Sequence, residues 1–283
     1  MTALQSSNVA KPVLTRKAVV LARGLGTRMR QADAASVLDE AQAAVADSGV
    51  KALIPIDRPF LDYVLHVLAD AGYEQVCLVI GPEHTNLRKY YGEELRTTRL
   101  RLSFAIQEHP RGTADAVAAA ESFAGRDPFL MINSDNHYPL AAVKALRSGA
   151  GSGLAAFDRD SMIRGSNIPA DRVVKFAAVQ IDRSGHLQRI IEKPDAATLA
   201  SLGDQVFLSM NCWRFRGSIF EACRQIKPSA RGELEITDAV QYAIDQLGEK
   251  FRVLRFDSPV LDLSCRADVG PVAERLAGSE VWL

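Results

Sequence analysis

Short apolar runs alternate with amphipathic stretches through the first half of this chain, and that order constrains the fold more than any other feature. "KAVVLA" (Lys17 to Ala22), "QVCLVI" (Gln75 to Ile80) and "FLMI" (Phe129 to Ile132) have the length and composition of strands buried on both faces. Between the first two, "FLDYVLHVLADAG" sets Phe60, Tyr63, Val64, Val67 and Leu68 on one helical face and ends at Gly72, a helix-stop residue. "TADAVAAAESF" reads as a further helix. Strand, helix, strand, helix, strand predicts an α/β fold: a mostly parallel, Rossmann-like sheet covered by helices on both faces.

From Ala155 onward the pattern changes. "VVKFAAVQIDRSGHLQRIIEKP" alternates like a hairpin turning at "DRSG", and helical segments surround "GSIFEACRQI" and "LEITDAVQYAIDQLG". A chain of 283 residues lies near the upper limit for one core. Residues 1–15 read as a flexible tail and residues 16–283 as a single domain with a small β-rich part. "QADAASVLDEAQAAVADSGV" (Gln31 to Val50) is alanine-rich and acidic, and reads either as a short helix over a site or as a solvated insertion.

Lysine plus arginine and aspartate plus glutamate each total 34, so no whole-chain charge favours nucleic acid or a membrane surface. No run is long enough to span a bilayer, and the first 15 residues lack the apolar core of a signal peptide, which predicts a cytoplasmic protein. Cys77, Cys212, Cys223 and Cys265 form no CxxC pair and read as small apolar core residues. Self-association is left open.

Directly after the first strand comes "ARGLGTRMR". It is no dinucleotide fingerprint, since Met29 stands where the third glycine belongs, and it lacks the GxxxxGK of a P-loop. Its chemistry still suits an anion. Gly24 and Gly26 let backbone N–H groups approach a phosphate, and Arg28 offers a forked cation.

"LARGLGTRMR" resembles the LxxGxGTRxR signature of the sugar-1-phosphate nucleotidyltransferases. The resemblance continues in family order: "KALIPI" (Lys51 to Ile56), "QEHPRGTADAV" (Gln107 to Val117), "MINSDN" (Met131 to Asn136), "IIEKP" (Ile190 to Pro194), "GELEITDAV" (Gly232 to Val240) and "LDLSCRADV" (Leu261 to Val269). It covers about residues 17–270 and matches the short form that lacks a C-terminal β-helix of hexapeptide repeats.

The resemblance implies a GT-A-like catalytic domain over residues 16–283, binding a nucleoside triphosphate and a sugar 1-phosphate and releasing pyrophosphate with Mg²⁺ as cofactor. Asp135 and Asp262 become the metal candidates, each following a short apolar run. Arg28, Lys51, Asp135 and Lys193 become the catalytic candidates: Arg28 for the β- and γ-phosphates, Lys51 for the α-phosphate, Lys193 for the sugar phosphate. Nucleotide contacts fall to Leu21, Ala22, Gly24, Gly26, Thr27, Gln107, Gly112 and Thr113, with Gln107 and the Gly112 backbone reading the base edge. Sugar contacts fall to Asn136, Ala177, Glu192 and Asn211; His137 is a further candidate for that pocket. His66, Trp213 and Trp282 read as structural.

A glutamine amide both donates and accepts, which suits uracil or thymine but can be turned to other bases. Adenylyl or guanylyl transfer, cytidylyl transfer to a non-sugar phosphate such as phosphocholine, and a non-catalytic nucleotide-binding homologue are the alternative readings; a metal-dependent glycosyltransferase is disfavoured by the GTR loop. The chain departs from the family pattern at Ala52, Ser134, Ala177, Asn211, Ser264 and Cys265, and by about a dozen extra residues between Arg28 and Lys51.

Overall fold

The computed structural model describes residues 14–33, 36–174, 176–192, 194–203 and 205–283. Among the described residues eleven strands are formed in chain order: β1 (Lys17–Leu21), β2 (Gln75–Ile80), β3 (Arg101–Ile106), β4 (Phe129–Asn133), β5 (Asn136–His137), β6 (Ser152–Asp158), β7 (Ala178–Ile181), β8 (Leu187–Ile191), β9 (Phe207–Phe215), β10 (Phe251–Phe256) and β11 (Leu261–Asp262). The main sheet runs β10-β6-β9-β4-β1-β2-β3, with the β7–β8 hairpin attached at β9. Pairs β10–β6, β4–β1, β1–β2 and β2–β3 are parallel, while β9 runs antiparallel between β6 and β4. The expected parallel sheet is therefore present, with one reversed strand in its middle. β5 and β11 form a separate two-stranded ribbon in which Asp262 faces Asn136.

Strand β1 shows how the core divides. Ala18 and Val20 face one apolar layer with Met29, Phe60 and Leu68, whereas Val19 and Leu21 face the other with Val79, Val117 and Met131. Successive side chains of a strand point to opposite faces, so a run without alternation needs cover on both. The helix Phe60–Ala71 supplies part of the first layer and stops at Gly72, whose φ of 87° is the left-handed region glycine tolerates.

Several expectations shift. Residues 113–124 form two helices, Thr113–Ala119 and Glu121–Ala124, broken at Ala120. Within the tail expected over residues 1–15, residues 1–13 lie outside the described residues, but Thr15 is fully buried. Its N–H donates to the Arg147 carbonyl and its Oγ1 accepts from Arg214 Nε at 2.7 Å, so it belongs to the body. Trp213 is buried, but Trp282 is 66% exposed, its ring lying 4.5 Å from the Arg99 guanidinium. Three cysteines are core residues; Cys265 is half-buried beside Arg172 and Asp268, because it follows the ribbon and not a sheet strand.

Candidate functional site

Parallel strands deliver their carboxyl ends to one edge of a sheet, and loops at that edge meet. β1 ends there in the glycine loop, β3 in Gln107, and β4 in Ser134 and Asp135. The register is tight: Leu21 pairs with Asn133, the Ser134 N–H donates to the Leu21 carbonyl, and the Gln107 N–H to that of Ile80.

Gly26 has φ 62°, and a Cβ there would lie 2.1 Å from the Gly49 carbonyl oxygen. Gly49 ends the helix Glu40–Ser48, which the Asp39–Gln42 capping box starts. The Glu40–Ser48 part of the insertion is thus a helix locked against the glycine loop. Arg30 donates to the Ser48 carbonyl, while Arg266 donates to the Met29 carbonyl and pairs with Asp47. Two residues after Gly49 comes Lys51, whose Nζ lies 2.9 Å from Asp135 Oδ2.

Burial alone would lower the Lys51 pKa. The Asp135 carboxylate, its hydrogen bond and the nearby Asp262 outweigh that and leave it raised, so the ammonium stays charged. Asp262 is pushed up to about 6, by burial first and then by the charge of Asp135. Its Oδ1 accepts from Asn136 Nδ2 at 2.9 Å and its Oδ2 from Arg172 Nη2 at 2.7 Å.

Two cavities meet at this edge. The smaller, about 380 Å³, is lined by Leu21, Gly24, Gly26, Thr27, Lys51, Gln107 and Gly112, with Asp135 at its rim. The larger, about 510 Å³, is lined by Ala177, Glu192, Asn211, Arg231, Thr237 and Asp262. Arg28, Thr113 and Ser264 line both. Ala22 borders an adjoining recess with Lys51 and Asp135.

Residues 45–273 match the nucleotidyl transferase family. The chain belongs to that family. It is 29% identical over 242 residues to the low-salt glycan biosynthesis nucleotidyltransferase Agl11 of Haloferax volcanii, covering 81% of this chain and 59% of that protein. It is 32% identical over 232 residues to a glucose-1-phosphate thymidylyltransferase of Streptomyces griseus, covering 81% and 57% respectively. The chain thus spans under three fifths of the length of these two relatives. The UTP–glucose-1-phosphate uridylyltransferase AglF of Haloferax volcanii is 26% identical, with 92% of this chain and 96% of that protein covered. The fold matches that of a UDP-glucose pyrophosphorylase solved with UDP-glucose at a TM-score of 0.72 and 19% identity, covering 94% of this chain and all of that one.

Within this member of the nucleotidyl transferase family, the residues expected from sequence gather with few exceptions. Lys193 lies outside the described residues. Asn136 points not into the larger cavity but onto Asp262, and it accepts from Asn133 Nδ2 and the Tyr138 hydroxyl. His137 sits toward His66, with its pKa lowered to about 4 by burial first and then by that ring. Sequence reading missed Arg23, Arg172 and Arg231. Arg23 is buried and donates from Nε to the Gln107 carbonyl at 2.7 Å, fixing the loop that follows β3. Only its place inside the glycine loop hinted at a role. Arg172 and Arg231 stand in no quoted family motif, and nothing local distinguishes them.

One family departure acquires a cause. Asn211, where glycine is usual, has φ 55° and is the one non-glycine among the described residues with positive φ. It sits in an irregularity of β9, where Leu154 pairs with Trp213 but Ala156 with Ser209. Asparagine is among the few side chains that tolerate this region.

Proposed function

We propose that this cleft joins a nucleoside triphosphate to a sugar 1-phosphate, releasing pyrophosphate and an NDP-sugar. The observation that carries the reading is the meeting of two cavities at Arg28, with the Lys51–Asp135 pair in one and Asp262 in the other. The printed names of the thymidylyl- and uridylyltransferase relatives support the substrate class.

A phosphate oxygen of the sugar 1-phosphate in the larger cavity attacks the α-phosphorus of the nucleotide in the smaller one. The bond from that phosphorus to the bridging oxygen breaks, and pyrophosphate leaves with the electron pair. The attacking oxygen is already ionised, so no proton has to move. The protein's task is to bring two polyanions together and offset their repulsion. Arg28, at the junction, neutralises the triphosphate; Lys51, kept protonated, serves the α-phosphate; Lys193 holds the sugar phosphate and Glu192 the sugar hydroxyls.

Asp135 and Asp262 would hold Mg²⁺. They fit it: Mg²⁺ takes one or two carboxylates and completes its shell from phosphate and water, and Asp135 already repels the charge on buried Asp262. Bound there, the ion supplies further neutralisation of phosphate charge.

Gln107 Nε2 donates to the Gly112 carbonyl at 3.0 Å and to Asp115 Oδ2 at 2.8 Å. Two acceptors fix the amide, so it has Oε1 to offer a base, matching the N3–H of uracil or thymine. The test is pyrophosphate release from the five common triphosphates against a panel of sugar 1-phosphates, with and without Mg²⁺. Release should need both a sugar phosphate and the ion, and be fastest with UTP or dTTP. Equal release without any sugar phosphate would sink the reading.

A further inference from the structure

We propose that Arg172 is a positioning residue for the carboxylate of Asp262, an inference that rests on the reading that Asp135 and Asp262 hold a divalent cation. Arg172 stands in the one-turn helix Ala170–Val173, far in sequence from both carboxylates it touches. Its Nη2 donates to Asp262 Oδ2 at 2.7 Å, and its Nη1 to Asp268 Oδ1 at 2.9 Å. Asp268 is itself pinned: its Oδ2 accepts from the backbone N–H groups of Ser264 at 2.8 Å and Cys265 at 2.9 Å. The guanidinium is therefore anchored on Asp268 and reaches forward to Asp262.

The backbone of Asp262 does not need this contact. Its N–H donates to Asn167 Oδ1 at 2.9 Å, its carbonyl accepts from Asn167 Nδ2 at 2.7 Å, and the ribbon with β5 holds it further. What those bonds leave free is rotation of the carboxylate about its own side chain. Asn136 on Oδ1 and Arg172 on Oδ2 remove that freedom. The carboxylate has four lone pairs, and with Asn136, Arg172 and the Ser264 side chain bonded to it one is still left to give a cation. A planar guanidinium fixes the plane of the carboxylate as a lysine ammonium cannot. Arg172 also lines the larger cavity, beside the Asp262 carboxylate that it supports.

Outer-shell partners of this kind change metal affinity by about ten- to a hundredfold when removed. The experiment is titration of the protein with Mn²⁺ alone, the free ion being followed by electron paramagnetic resonance, for wild type, Arg172→Met, Arg172→Lys, Asp268→Asn and Asp135→Asn. Arg172→Met should weaken Mn²⁺ binding by about ten- to a hundredfold, with Arg172→Lys recovering part of the loss. Asp268→Asn, which frees the anchor but leaves Asp262 untouched, should weaken it in the same direction by less. Thermal melts check folding; if Arg172→Met does not fold, wild-type affinity in both Arg172→Lys and Asp268→Asn overturns the proposal. Affinity in folded Arg172→Met equal to or tighter than wild type also overturns it, the tighter case making Arg172 a competitor of the ion. Wild-type protein that binds no Mn²⁺, or binds it as well with Asp135→Asn, removes the metal-site reading itself and the proposal with it.

Discussion

Gly26 and Gly49 are packed backbone to backbone, so that the turn of the glycine loop and the end of the insertion helix are one structural unit. Any Cβ on Gly26 would meet Gly49 O, Cα and C at 2.1, 2.6 and 2.7 Å, and its φ of 62° is itself unfavourable for a side chain. Gly26→Ala should therefore cost about 1–2 kcal/mol from the dihedral alone, with the clash in addition. For a chain of this size that is a fall of several degrees in Tm. Gly24→Ala, with nothing within 4 Å, should leave Tm near wild type. Thermal melts of the two variants check this; equal melting would mean that the insertion does not hold the loop.

Lys51 and Asp135 are each other's partner before any substrate arrives, with side chains 19% and 25% exposed. Asp135→Asn should abolish pyrophosphate release, by at least about a hundredfold, while circular dichroism and Tm stay close to wild type. Lys51→Met should lower kcat more than it raises KM for the triphosphate, because its charge matters most where charge shifts at the α-phosphorus. Near-normal turnover in Asp135→Asn would take Asp135 out of the chemistry.

The parallel half of the fold was legible because β1, β2 and β4 are apolar on both faces and helices intervene. β9 was not, since a reversed strand in the middle of a sheet carries the same burial as its neighbours. Ribbon β5–β11, two residues per strand, is set by long-range pairing of Asp262 with Asn136 and has no local period. The charged site was legible through its motifs, but Arg172 was not: its partners lie 90 and 96 residues away, and only folding brings them together. Asn136 was placed with the sugar for the same reason, as its real partner, Asp262, is 126 residues distant.

Asp115 fixes Gln107 through one hydrogen bond of 2.8 Å, and Gln107 is only 4% exposed. A hydrogen bond to a charged group is worth about 1.5–3 kcal/mol. Asp115→Leu should therefore raise KM for the preferred triphosphate by roughly tenfold or more and narrow the ratio of kcat/KM between bases. The Mg²⁺ requirement should not move. Initial rates across the five triphosphates check this, and an unchanged preference would mean that another group reads the base.

Asn211 separates the backbone need at its position from the side-chain need. Its φ of 55° asks for glycine or asparagine, while its Oδ1 accepts from Trp213 Nε1 at 3.4 Å and its side chain borders the larger cavity. Asn211→Gly should keep stability within about 0.5 kcal/mol, since the dihedral is satisfied and only a long hydrogen bond is lost. Asn211→Val should cost about 1–2 kcal/mol or more, because a β-branched residue resists the left-handed region. If the side chain touches the sugar, Asn211→Gly should raise KM for the sugar 1-phosphate without changing KM for the triphosphate. Equal effects on both constants would place Asn211 in the framework of the cleft and leave the sugar to other residues.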